Sequence, residues 1–342
     1  MDIKVAIRLL AQQQDLSADE MTDLMRGIMS GEMSDAQIGA FLVALQIKGV
    51  GASELLGAVT VMRELVTRVE VPDKTHLVDT CGTGGTGADT FNISTAAAMV
   101  AACGGARVAK HGNRGATSKS GSADLLEAAG VKLTLSPAQV VQCIEQVGVG
   151  FMFAPGHHSA MRHVIGPRRE IGLRTIFNLL GPLTNPASAP NQLLGVNDPD
   201  WIDVMLEVLE ALDSEHVLIV ASDDGLDEIS ISAPTRIGEL HNGKQSRYTV
   251  SPEQFGITRR DNYSMLQIAD AQQSLAMVRG ALDYSNEAAG DIVALNAGAA
   301  LYAANVVTSI AEGVLRAQAI LRSGAALLKL EELARVSQSL QE

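Results

Sequence analysis

Cysteine is scarce in this chain: only Cys81, Cys103 and Cys143 occur among 342 residues. An odd count at spacings of 22 and 40 residues suits neither a disulfide framework nor a zinc site, so the three read as free thiols in a reducing compartment. Aromatic residues are few as well, with one Trp, four Tyr and six Phe, which leaves no stock of stacking platforms for single-stranded nucleic acid. Positive charge is outnumbered, 26 Lys and Arg against 39 Asp and Glu, and the net charge of -13 repels a phosphate backbone. Long apolar runs are missing too. Ala96 to Cys103 is among the longest, far short of the roughly 18 residues that span a bilayer. The opening MDIKVAIRLLAQQQD turns polar after ten residues and carries no small-residue cleavage site, so it reads as a helix and not as a signal peptide. The expected location is cytoplasmic. There is no HExxH, GxSxG or Walker sequence, which removes the zinc-protease, nucleophile-elbow and P-loop readings.

What is present is a chain for a buried core. Apolar residues make up 46% and charged residues 19%, below the roughly 25% of average soluble proteins, which excludes intrinsic disorder. At about 150 residues per domain, the length predicts two domains. Residues 1 to 72 read as a small helical bundle. Ser17 with Glu20 and Ser34 with Gln37 are capping boxes, followed by the stripes Met21, Leu24, Met25, Ile28 and Ile38, Phe41, Leu42, Leu45; Leu55, Val59, Met62 and Val66 mark a further helix after Ser53. From residue 73 to 342 the texture becomes that of an α/β domain with a mostly parallel sheet. Strands are predicted at 76–81, 106–110, 131–134, 150–153, 192–196 and 216–221, with helices at 94–103, 122–129, from Ser136, at 201–212 and from about Asn286. The stretch from about 157 to 190, punctuated by two Gly-Pro pairs, reads as a helical return toward the bundle.

Two strand-to-helix loops carry the chemistry. In the first, Asp79 to Thr95, residues Gly82, Gly84 and Gly87 spell GxGxxG. A dinucleotide site also needs an acid about 20 residues later, yet none lies between Asp89 and Asp124. Phosphate binding by backbone N–H groups at a helix N-terminus survives that test, and Thr90, Asn92, Ser94 and Thr95 crowd the helix start. The second loop, from Lys110, has three positive charges and no negative one in its first ten residues. Residues 162 to 174 carry four Arg against one Glu; alone they read equally as a solvated face, but together the two segments hold +6 while the rest of the chain holds -19. This segregation points to an anion site inside an acidic protein. Asp227 and Glu228, adjacent after a predicted buried strand, are hard oxygen donors of the kind magnesium takes beside a phosphate. His157, His158 and His163 lack zinc-protease spacing and read as structural or substrate-lining.

These segments, GTGG (82–85), NIST (92–95), KHGNR (110–114), SGSADLLE (120–127), GPRREIGLRTIFNLLGPLTNP (166–186) and DGLDEIS (224–230), resemble the anthranilate phosphoribosyltransferases of tryptophan biosynthesis in order and spacing. The resemblance covers essentially the whole chain. It implies a nucleoside-phosphorylase-like fold, a homodimer through the helical domain, and transfer of the 5-phosphoribosyl group of phosphoribosyl pyrophosphate (PRPP) to the amino group of anthranilate, with two Mg2+ per subunit. Carried over by position, it implies that Gly82, Gly85, Thr86, Thr90, Asn92, Ile93, Ser94, Thr95, Lys110, His111, Gly112, Asn113, Arg114, Gly115, Ala116, Thr117, Ser118 and Ser122 contact PRPP. It further implies that Gly82, Asn113 and Arg168 contact anthranilate, and that Ser94, Asp227 and Glu228 ligate magnesium. One departure stands out: the family pattern is GTGGD, and Thr86 takes the place of the aspartate. A pyrimidine nucleoside phosphorylase, binding inorganic phosphate without a carboxylate pair, and a non-enzymatic nucleic-acid-binding relative with an exposed basic stripe are the competing readings. No catalytic acid or base is named, because a neutral aromatic amine needs no strong base.

Overall fold

In the computed structural model, which describes residues 1–115 and 118–341, the chain opens with four helices, α1 (Ile3–Ala11), α2 (Ala18–Ser30), α3 (Asp35–Lys48) and α4 (Ala52–Leu65). Both expected capping boxes are formed, and Gly31 ends α2 in the left-handed conformation at φ 81°. α4 departs from expectation at both ends. Its N-cap is Gly51 and not Ser53, because Glu54 turns back to accept from the Gly51 N–H at 2.9 Å, and Val66 is already extended.

The larger part begins with β1 (Leu77–Gly82), α5 (Ile93–Cys103), β2 (Arg107–Gly112), α6 (Ser122–Ala128), α7 (Pro137–Val147) and β3 (Val149–Phe153). The helices α8 (Ala154–His157), α9 (Arg162–Ile171) and α10 (Phe177–Leu183) follow, and α9 and α10 pack on the bundle. Arg63 of α4 secures this return by donating to the Leu183 carbonyl at 2.7 Å. Then come β4 (Asn191–Gly195), α11 (Trp201–Ala211), β5 (His216–Ser222), the hairpin β6 (Thr235–His241) and β7 (Lys244–Val250), and α12 (Ala271–Leu282), α13 (Glu287–Ala303), α14 (Ile310–Arg322) and α15 (Ala325–Ser339). The predicted strand at 131–134 is absent. Val131 and Leu133 are buried, but Lys132 gives its N–H to Ser337 Oγ on α15, so the segment packs as an extended connection with no ladder partner.

The seven strands are ordered β3-β2-β1-β4-β5-β6-β7, parallel from β3 through β5 and antiparallel at the β6–β7 edge. Period-two alternation sorts the side chains of β5: Leu218 and Val220 enter the core formed with α5, α13 and α14, while Val217, Ile219 and Ala221 enter the core shared with α11 and the helical bundle. With a core on each face, only the strand ends are free to hold a ligand. Strand order reverses between β1 and β4, and in open α/β sheets the crevice beyond the carboxyl ends at such a reversal is where ligands bind. No helix among the described residues is long and apolar enough to cross a membrane.

Candidate active site

Four segments leave the carboxyl ends of β1, β2, β4 and β5 and meet at that reversal. After β1, Gly84, Gly85 and Gly87 adopt φ of 62°, 76° and 68°, a left-handed path that side chains disfavour, and the turn they trace lines one cavity. Thr86 Oγ1 accepts from the Ala88 N–H at 3.2 Å, which closes the turn and leaves its O–H free to donate. Asn92 at the α5 entrance accepts from Ser120 Oγ at 2.8 Å and Ser274 Oγ at 2.7 Å, which ties the first loop to the second and to α12.

Lys110 near the end of β2 is buried, its ammonium donating to the Thr80 carbonyl and, at 3.3 Å, to Ser94 Oγ. Burial presses this amine down, and the Asp79 carboxylate behind it acts the other way. Asp79 accepts from the His111 N–H at 3.2 Å and Asn185 Nδ2 at 2.7 Å, fixing the end of β2. In the next loop Asp124 Oδ2 accepts from the N–H groups of Gly115 and Gly121, both at 2.9 Å, drawing the two glycines into backbone contact. Arg114 spans Asp124 and Glu127 at 3.0 and 2.7 Å on the exposed lip.

Past β5, Asp227 Oδ2 accepts from the Gly84 N–H at 3.0 Å, and Glu228 lines the same cavity wall as Ser94. Burial raises the pKa of both carboxyls, and Asp227 pushes Glu228 up further. Two hard-oxygen groups that resist ionising side by side, with a serine hydroxyl on the same cavity wall, fit a divalent cation such as magnesium.

The cavity enclosed by these segments measures about 500 Å³. A second cavity of about 380 Å³ adjoins it, with His111 and Asn113 lining both. Its walls include Met62, Ile165, Phe177 and Leu180 together with Arg168 and His158. Arg168 lies over the Phe177 ring at 5.2 Å. His111 Nδ1 meets the Gly181 carbonyl at 3.2 Å, and the Nε2 atoms of His111 and His158 are buried without a partner among the described residues. Burial, reinforced by the neighbouring histidines, depresses His111 to about 3 and His158 to about 4, so both rings are neutral near pH 7. One cavity is thus polar, lined by a glycine turn, three cations and a carboxylate pair; the other is an apolar slot with a guanidinium and two neutral imidazoles.

Comparison with known proteins agrees. The model of the helical bundle domain of a glycosyl transferase family matches residues 4–66, and that of the family's α/β domain matches 74–327. The anthranilate phosphoribosyltransferase of Thioalkalivibrio sulfidiphilus is 58% identical over 97% of this chain and 98% of its own length, and that of Alkalilimnicola ehrlichii is 55% identical over 98% of each. The chain belongs to the anthranilate phosphoribosyltransferase family. It is a pentosyltransferase. Among solved structures, the Thermus thermophilus anthranilate phosphoribosyltransferase superposes with a TM-score of 0.91 at 40% identity, covering 98% of this chain and 99% of its own. The Saccharomyces cerevisiae enzyme, solved in complex with PRPP and Mg, gives 0.88 at 25% identity, covering 99% and 98%.

In this family member the residues expected from sequence to contact PRPP line the polar cavity, from Gly82 through Ser122, except that Ala116 and Thr117 lie outside the described residues. Ser94, Asp227 and Glu228 share that cavity. Of the three residues expected at anthranilate, Arg168 lines the apolar slot, Asn113 stands at the junction, and Gly82 lines the polar cavity alone. The histidines divide: His158 lines the slot, His157 Nδ1 meets the Thr67 carbonyl at 2.8 Å, and His163 packs on Gly31 in the bundle. Sequence reasoning gave no role to Arg174 and Asn178, which line the polar cavity; both lie in the 166–186 motif, and Arg174 also ends the basic run 162–174. At the opposite end of the sheet His216, Glu239 and His241 cluster, but the two rings stack in parallel 3.9 Å apart, so their lone pairs do not converge, and Tyr248 and Tyr302 already donate to Glu239.

Proposed function

We propose that the paired cavities bind PRPP and anthranilate side by side, and that the chain transfers the 5-phosphoribosyl group to the anthranilate amino group, releasing pyrophosphate. The observation that carries this reading is the shared wall: His111 and Asn113 face both the polar cavity and the apolar slot, so two ligands occupying them meet there. The C1–O bond to pyrophosphate breaks with its electron pair leaving on the pyrophosphate, while the amine nitrogen bonds to C1 and releases a proton. Positive charge grows on the ribose and negative charge on the leaving group, so catalysis rests on an oxyanion clamp more than on a nucleophilic side chain.

The chain supplies that clamp with the backbone N–H groups of Gly85, Thr86 and Gly87 and with the α5 entrance. Ser94, Asp227 and Glu228 would hold Mg2+, two ions per subunit, and the metal when bound neutralises charge on the pyrophosphate. Arg168 pairs with the anthranilate carboxylate, a planar group that matches the guanidinium fork. The unpartnered imidazole nitrogens of His111 and His158 accept from the amine N–H groups and aim its lone pair. A homodimer through the helical domain and a cytoplasmic location belong to the same reading; Ile47 on α3, 73% exposed, supports the former. Isothermal titration tests the ligand assignment. PRPP with magnesium should bind the wild type and bind far more weakly to the Asp227→Asn, Glu228→Gln double variant. Preferential binding of inorganic phosphate plus a nucleoside would favour a phosphorylase instead.

A further inference from the structure

Three cations line the polar cavity, and they are not equivalent. Lys110 is buried with its ammonium engaged by Thr80 and Ser94. Arg114 is committed to Asp124 and Glu127 at the lip. Arg174, half-buried between α9 and α10, forms no ion pair among the described residues. It donates Nη1 to the Gly84 carbonyl at 3.0 Å and reaches Asn197 Oδ1 with Nη2 at 3.5 Å. Gly85 lies so close that a Cβ there would overlap the guanidinium, so the sequence gives up a side chain at 85 to let this charge lie against the loop.

Holding a loop needs a donor but not a charge, and half-burying a cation whose carboxylate neighbour, Asp227, lies beyond ion-pair distance is costly. A guanidinium has five N–H donors, and the loop contacts leave several unused. The Asp227 carboxylate is its charged neighbour, which sets Arg174 on the side of the cavity assigned to the metal and the leaving group. The geometry points to Arg174 as a binding group for the pyrophosphate moiety of the substrate, fastening the glycine loop with one edge and receiving phosphate oxygens with the other. This rests on the phosphoribosyl-transfer reading, and its test includes an arm that needs no turnover.

Binding of magnesium pyrophosphate is measured by calorimetry for the wild type, Arg174→Gln and Arg174→Lys, beside steady-state kinetics with PRPP and anthranilate. Gln keeps a donor for Gly84 and removes the charge; Lys keeps the charge. Loss of a charge-assisted hydrogen bond predicts a fall of about 10- to 150-fold in pyrophosphate affinity and in kcat/KM for PRPP with Arg174→Gln. The KM for anthranilate should stay near wild type, and Arg174→Lys should recover part of the loss. Unchanged pyrophosphate affinity in Arg174→Gln overturns the assignment. Equal damage by Gln and Lys to both substrates and to the melting temperature also overturns it, by reducing Arg174 to a loop fastener. A wild-type chain that binds pyrophosphate through Arg174 yet consumes no anthranilate would support the assignment while contradicting the functional reading.

Discussion

Asp227 rests on two glycines at the ends of neighbouring strands, and that support makes its position testable from a distance. Gly82 of β1 and Gly195 of β4 are register partners, and the Gly195 carbonyl accepts from the Thr83 N–H at 2.9 Å. A Cβ on Gly195 would overlap the main-chain carbonyl of Asp227 and come within 3.1 Å of its Cβ. Ordinary contact needs about 3.5 Å or more, so the Gly195→Ala variant must displace the Asp227 main chain by more than about 1 Å. Misplacing a reacting constellation by that much costs about 10²-fold in rate, equivalent to about 2.7 kcal/mol. The overpacking itself should cost about 1 to 3 kcal/mol of stability. Gly82→Ala is the companion, since its Cβ would meet only the carboxylate tip of Asp227. It should disturb metal activation with a smaller loss of stability. The assay is anthranilate fluorescence against magnesium concentration at saturating PRPP, beside thermal melts. Gly195→Ala should need more magnesium for half-activation and turn over far more slowly. Wild-type magnesium activation in a folded Gly195→Ala protein would refute the placement of Asp227 at the metal.

Other outcomes follow from the same geometry. Arg168→Ala should lower kcat/KM for anthranilate by about 10- to 150-fold, from about 1.5 to 3 kcal/mol of lost charge-assisted bonding, with PRPP affinity moving much less; equal losses for both substrates in steady-state kinetics would place Arg168 at the phosphates. Because Thr86 Oγ1 caps its own turn, Thr86→Asp can accept the same N–H, and PRPP affinity should change by no more than about tenfold. A large drop in the magnesium needed for activation by Thr86→Asp would show that a carboxylate there serves the metal. His111 at about 3 and His158 at about 4 bind fewer protons folded than unfolded, so their contribution to stability is complete above about pH 6.5 and is lost as pH falls toward those values. The melting temperature of a His111→Gln, His158→Asn variant should therefore fall less than wild type between pH 7 and 5; identical slopes would contradict neutral burial.

Much of this was legible because local rules and global packing agree. Ser17 with Glu20 and Ser34 with Gln37 announce helices that the tertiary fold keeps, and the glycines at 82–87 mark a loop only they can trace. Elsewhere the pattern misleads. Val131 to Thr134 alternates like a strand, but β3 already holds the sheet edge and α15 takes the Lys132 N–H. The β6–β7 hairpin and α12 were not anticipated; β7 is a mostly polar edge strand whose exposed residues carry no buried-strand signal. Arg168 and Arg174 look alike in one basic run. The left-handed Gly172, φ 65°, ends α9 between them, and Arg168 lines the apolar slot while Arg174 lines the polar cavity. His157 and His158 are separated the same way: His157 ends α8 and bonds the Thr67 carbonyl, while His158 just beyond it lines the slot.

The central claim is that the polar cavity and the apolar slot join two substrates across His111 and Asn113. It is tested most directly by following anthranilate fluorescence with the purified chain after adding PRPP and magnesium. The account predicts loss of anthranilate that requires both additions, with one pyrophosphate released per anthranilate consumed. Full consumption without magnesium, or no consumption with both present, would contradict it.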